Sequence, residues 1–350
     1  MTPQLLGAAL CAALILYALF GGADYGGGIW DLFASGPRKA EQRSLIEHAI
    51  GPIWEANHVW LVLVVVMLFT AFPPAFAAIA SGLFTPLVLL LIGIVLRGAA
   101  FTFRTYETGG DRAQRRWGRI FSASSVLAPL MLGDMVGSLA SGHIAGPASP
   151  AWLEPFPLAV GAFTAALFAF LSATYLAVEA AGPLREDFRK RGLVAGVVVG
   201  ALALATFLLS SEGAPLVQQG LTARPWSWPL QIATALSAVL AFAALALRRF
   251  RQARFAAAAQ VALIVIGWAG SQYPYLVVPE WTLESASAPA AVQKLLLAAL
   301  GAGALLLFPS LYLLFRVFKG ERPLALIDRE EPRAPGPRPG LLRSPGSSRP

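Results

Sequence analysis

Only 13% of the 350 residues are charged, three are histidine and one is cysteine, and each scarcity removes a class of function. A soluble domain carries about a quarter of its residues as Asp, Glu, Lys and Arg. Here 57% are hydrophobic and the mean hydropathy is +0.64, too apolar for a water-facing surface. The lone Cys11 excludes an internal disulfide and a thiolate metal cluster. Period-two alternation is missing as well, and backbone in lipid must satisfy its own hydrogen bonds, so strands are not expected. Composition puts the chain among helical multi-span membrane proteins.

What is present is a series of apolar runs at roughly 5–30, 52–71, 76–103, 118–140, 156–181, 192–211, 227–247, 255–278 and 292–316, each near the ~20 residues a span needs. The reading is an all-α polytopic fold of about nine transmembrane helices over 1–319. Four two-span hairpins plus one helix would arrange as two four-helix bundles and a single helix. Nothing basic precedes Arg38, so the first run is read as a retained helix rather than a secretory signal. Residues 320–350 turn to Pro, Arg, Gly and Ser without periodicity and are expected to form a disordered cytoplasmic tail.

The net charge of +8 is distributed unevenly. Arg38, Lys39 and Arg43 fall between runs one and two, and Arg104, Arg112, Arg115, Arg116 and Arg119 between three and four. Arg185, Arg189, Lys190 and Arg191 separate five from six; Arg248, Arg249, Arg251 and Arg254 separate seven from eight; the rest lie from Arg316 onward. Of the 27 basic residues only Arg97, Arg224 and Lys294 lie elsewhere. The positive-inside rule then sets the N-terminus outside and the C-terminus in the cytoplasm. Basic residues so placed orient a membrane protein, and no nucleic-acid partner is expected.

Three ionisable side chains, Asp24, Glu55 and Arg97, interrupt three successive apolar runs, where each costs about 2.5–3.5 kcal/mol. At 1.5 Å per residue, Asp24 lies about 13 Å and Arg97 about 10 Å from the cytoplasmic loops. Glu55 is expected within a turn of the boundary, where the dipole of a helix N-terminus favours an acid. Two readings stand side by side: an ion pair bracing three helices, or a proton relay in which an acid alternates between charged and neutral forms beside a permanent arginine.

Around Glu55 runs Trp54-Glu55-Ala56-Asn57-His58-Val59-Trp60, with Glu55 and His58 on one helix face and Asn57 and Trp60 on another. No i, i+4 histidine pair exists, and His58 is not expected to ligate haem or metal. Small residues four apart in Gly21–Gly28 suit close helix packing. Asp134 is read as a capping or interfacial acid near the outer end of run four. Glu179, Arg185, Glu186 and Asp187 are read as a solvated mixed-charge loop, and Ser271–Tyr275 with Trp281 as an outer-surface stretch suited to the headgroup belt.

Four segments together resemble subunit II of the bd-type quinol oxidases: Gly22-Ala23-Asp24-Tyr25-Gly26-Gly27-Gly28; Gly51-Pro52-Ile53-Trp54-Glu55-Ala56-Asn57-His58-Val59-Trp60-Leu61; Phe69-Thr70-Ala71-Phe72-Pro73; and Arg97-Gly98 with Phe101-Thr102-Phe103-Arg104. Ser271-Gln272-Tyr273-Pro274-Tyr275-Leu276-Val277, with Pro279 and Ala288-Pro289, is similar to the cyanide-insensitive branch. The resemblance covers about residues 5–320. It implies a bacterial inner-membrane heterodimer that oxidises quinol and reduces oxygen to water, with haems b and d and the quinol site in subunit I. No cofactor or metal is expected on this chain, while a structural quinone, membrane lipid and a small single-helix subunit are compatible companions. Glu55 matches the acid associated with proton delivery, Asp24 the second acid of the first-helix motif and Arg97 its buried arginine; Trp54, Asn57 and His58 are their neighbours. Many relatives carry aspartate where this chain has Gly21, and many carry Asp where Glu55 stands. A secondary transporter or channel also holds charges near helix interruptions, and a purely structural subunit is a third possibility.

Overall fold

A computed structural model describes residues 1–106, 111–144 and 150–318; within its helices the side chains of residues 50, 52, 53, 55, 105, 106, 111, 314, 315, 317 and 318 lie outside the description. The expected tail over 320–350 falls outside the described residues. The chain runs through α1 (Thr2–Leu32), α2 (Lys39–Ala71), α3 (Pro73–Gly82), α4 (Phe84–Tyr106), α5 (Asp111–Ser141), a 3-10 turn (Ala151–Leu153), α6 (Pro155–Glu179), α7 (Gly182–Gly213), α8 (Pro215–Thr222), α9 (Ser227–Ala246), α10 (Phe250–Gln272), β1 (Tyr275–Val277), β2 (Trp281–Thr282) and α11 (Ala290–Phe318). Among the described residues eight helices are long and apolar enough to cross a membrane, and α2 with α3 gives a ninth if that bent pair is one broken span.

Proline sets several of the starts. It occupies the first or second position of α3, α6, α7 and α8, where its missing N–H costs nothing and its fixed φ suits the helix.

Helices α1, α2, α4 and α5 form one group and α6, α7, α9 and α10 a second. α6 joins the groups by packing on both α1 and α5, and α11 leans on α2 and α1. This is the expected arrangement of two four-helix groups and one helix. In α5 and α6, 56% of the most apolar window is buried, against 17% in α7 and α9 and none in α11, so α5 and α6 are central and the others lie at the periphery of this chain.

Five expectations are corrected. Run two does not begin near residue 52: α2 is helical from Lys39, so Glu55 lies well inside it and the N-terminal dipole argument does not apply. Run three is not one helix. Pro73 and Pro74 cannot continue α2, the path turns by 116° into α3, and a second break at Leu83 precedes Pro86 in α4. Strands do occur: after α10, β1 and β2 pair as a small antiparallel hairpin at the end away from the basic residues. The segment from Glu179 to Asp187 is no loop but a two-residue junction between α6 and α7. There Asp187 accepts from Arg38 Nη2 at 2.5 Å and Glu186 from Arg248 Nε at 2.7 Å. Asp134 neither caps nor meets an interface; it is 1% exposed inside α5, and both carboxylate oxygens lack a partner among the described residues.

Candidate functional site

The site is built where α1, α2, α4 and α5 meet. Gly22 and Gly26 give α1 a smooth face on α6, since a Cβ on Gly26 would lie 2.1 Å from the Phe168 carbonyl oxygen. Gly28 does the same toward α5: its Cβ would fall 2.0 Å from Ser125 Oγ. The small residues singled out in the sequence thus bring α1 close enough to its neighbours to bury Asp24.

Asp24 is fully buried and Arg97 is 2% exposed. Arg97 donates from Nη2 to Asp24 Oδ1 at 2.5 Å and to the Asp24 carbonyl at 3.2 Å, and from Nε to Ser125 Oγ at 3.1 Å. Its guanidinium lies between two aromatic faces, 5.1 Å from the Tyr25 ring centre and 5.0 Å from that of Phe121. Delocalised, weakly hydrated charge suits such a sandwich. Asn57 donates from Nδ2 to Asp24 Oδ2 at 3.4 Å, and its own Oδ1 is buried with no hydrogen-bond partner among the described residues. A Cβ on Gly21 would meet that Oδ1 at 3.0 Å, so the Asn57 amide crowds the space a longer side chain there would need. The Tyr17 and Tyr25 hydroxyls stand 3.3 Å apart on the side toward the start of α1.

The structure therefore brings together three of the expected residues, Asp24, Arg97 and Asn57. Trp54 and His58 lie beside them as a separate layer: His58 Nδ1 is 2.7 Å from the Trp54 carbonyl, the two rings stand 5.1 Å apart, and Trp54 lies against Phe101. The Glu55 side chain lies outside the described residues. Among those residues no group of three His, Cys, Asp or Glu side chains could hold a metal ion.

A second rung lies toward the basic end. Asp31, also fully buried, accepts from Arg104 Nη1 at 3.0 Å and from Ser122 Oγ at 2.8 Å, with Arg43 Nε at 3.5 Å. Sequence reasoning ends the first run near residue 30 and places Arg104 in a loop, so this rung escapes it. The signal is nevertheless present. Asp24 and Asp31 are seven residues apart, as are Arg97 and Arg104, which is two helical turns and one face. Each acid lies 73 residues before its arginine. Because α1 and α4 cross in the same direction, one register pairs both rungs, while Ser125 and Ser122 on the returning α5 serve them in reverse order.

These features define a class first: a polytopic helical membrane protein with a ladder of acid–arginine pairs buried among its helices. The family follows from comparison with known proteins. The chain belongs to the cytochrome bd terminal oxidase subunit II family, whose model matches residues 2–318. It is similar to cytochrome bd ubiquinol oxidase subunit 2 of Bacillus subtilis, 35% identical over 35% of each chain. It also resembles cytochrome bd-I ubiquinol oxidase subunit 2 of Escherichia coli K12, 28% identical over 53% of this chain and 51% of that one. The aligned stretches thus span about half or less of these relatives' lengths. A solved bd oxidase of Geobacillus thermodenitrificans has a chain of the same fold, with a TM-score of 0.78 and 23% identity over 92% of this chain and all of that one.

Proposed function

We propose that this chain is subunit II of a quinol:oxygen oxidoreductase in a bacterial cell membrane, paired with a haem-bearing subunit I, with the N-terminus outside and the C-terminus in the cytoplasm. Family membership and the gathering of basic residues at one end of the helices support the reading. Haems b and d would supply the redox chemistry from the partner; a structural quinone and a small single-helix subunit are the further companions to seek in the purified complex.

Within this chain, Asp24 and Glu55 form part of the path that brings cytoplasmic protons to the oxygen-reducing centre, and Arg97 sets the field along it. Asn57 carries the assignment. It follows Glu55 by two positions on α2, reaches the carboxylate oxygen of Asp24 that Arg97 does not hold, and presents beside it a buried acceptor with no hydrogen-bond partner among the described residues. A water or a protonated carboxyl donating to Asn57 Oδ1 would join the two acids.

The test is Glu55→Gln in the intact complex, read as oxygen consumption and proton uptake per haem. Turnover about a hundredfold lower, at unchanged haem content, is expected; unaltered turnover and uptake remove Glu55 from the path. The engagement of Arg97 on every side favours a second reading, a brace that only holds α1, α4 and α5 together. In a brace, Asp24→Asn lowers the yield of complex but leaves turnover per haem as it was.

A further inference from the structure

We propose that the corner where α9 turns into α10 is a binding site for the phosphate of an anionic phospholipid. A cavity of about 540 Å³ opens there, lined by Arg185, Arg248, Arg249, Phe250 and Arg251 with Val178. Arg185 is held in place, donating from Nε to the Ala180 carbonyl at 2.8 Å with its guanidinium 5.3 Å from the Phe250 ring centre. Arg248 is fixed by Glu186, which also accepts from Arg189 at 3.2 Å. Arg249 and Arg251 are exposed, and among the described residues their side chains make no hydrogen bond or ion pair.

Several other arginines of this end are engaged within the chain. Arg38 is taken by Asp187, Arg104 by Asp31, and Arg191 by the Gln42 side chain and the Phe33 carbonyl. The pocket holds more guanidinium than local carboxylate, and an anion would balance it. Arg248 takes a left-handed backbone, φ 59°, in the turn between α9 and α10. Among the described residues no side chain caps α10, and the first N–H groups of a helix can donate to an anion.

A lipid, rather than a phosphate from solution, is indicated by what surrounds the cavity. The arginines lie where the apolar helices α9 and α10 end, at headgroup depth, and Leu247 and Phe255 beside them are each 67% exposed. A headgroup between the guanidiniums would lay its acyl chains along those two side chains. Basic pockets between membrane helices at the cytoplasmic face bind lipid headgroups in this way.

The test uses the whole complex in nanodiscs of phosphatidylcholine doped with phosphatidylglycerol, with retained lipid identified by native mass spectrometry on release into detergent. The parent should retain phosphatidylglycerol over phosphatidylcholine. Arg249→Gln/Arg251→Gln, which removes no contact within the chain, should lower that retention roughly tenfold, with Arg251→Glu alone acting in the same direction. Arg224→Gln, at the opposite end, should change nothing. Equal retention by parent and double variant, or equal retention of the two lipids by the parent, overturns the proposal. Protection of the lipid-free parent against thermal unfolding by inorganic phosphate, lost in the double variant, would assign the pocket to a soluble anion and overturn the lipid.

Discussion

The two rungs of the ladder use the same residue types on the same helices yet solve different electrostatic problems. At Asp24, one carboxylate meets one guanidinium, with exposures of 0% and 2%, and neutral donors and aromatic faces fill every other direction. At Asp31, two arginines share one carboxylate; Arg104 is 17% exposed and also approaches Glu47 at 3.9 Å. Far from water a net charge is prohibitive, so the inner pair must balance one to one. Near the membrane face, solvent absorbs the surplus cation. The inner rung is therefore brittle and the outer one tolerant.

Four substitutions test that contrast. Asp24→Asn should have the largest effect, about 3–5 kcal/mol of stability, because Arg97 is left buried and uncompensated. Adding Arg97→Met should recover much of the loss in thermal unfolding of the purified complex, whereas a true additive loss would contradict the pairing. Gly28→Ala comes next: its Cβ overlaps Ser125, so α5 must move away from Arg97, at about 1–3 kcal/mol. Asp31→Asn should cost about 1–2 kcal/mol, since its arginines can turn to Glu47 and water; a loss as large as that of Asp24→Asn would abolish the distinction between the rungs. The smallest effect belongs to Arg38→Gln at the rim. The hydrogen bonds that Arg38 donates to Asp187 raise the pKa of its guanidinium above the ordinary value, but this pair is solvated, and any shift in melting temperature should vanish in high salt.

Much of the fold is legible in the sequence because lipid imposes length and polarity on every span. The runs, their number and the placement of the basic residues need no tertiary information. The breaks are harder. Pro73, Pro74 and Pro86 are visible, but only the path of the chain reveals that α3 lies across α2 rather than continuing into α4. The β1–β2 hairpin escapes for a related reason: its strands are too short for a periodic signal.

The site divides in the same way. Asp24 and Arg97 stand out because charge in an apolar run is conspicuous. Asp31 and Arg104 do not, since at the end of a run a charge looks like a loop residue. Asp134 shows the opposite error, for a carboxyl near a helix end reads as interfacial until its neighbours are seen to cover it.

That this chain is a bundle of membrane helices, which end is basic and that charges lie buried within it can all be read from the residues in order, since the transfer cost of each residue is a local property. Packing was needed to learn which acid meets which arginine, that Asn57 reaches Asp24, and that the side chains of Arg249 and Arg251 have no hydrogen bond or ion pair among the described residues. Those facts depend on the relative register of helices that are distant in sequence, and register is fixed by close packing at glycines and not by any single span.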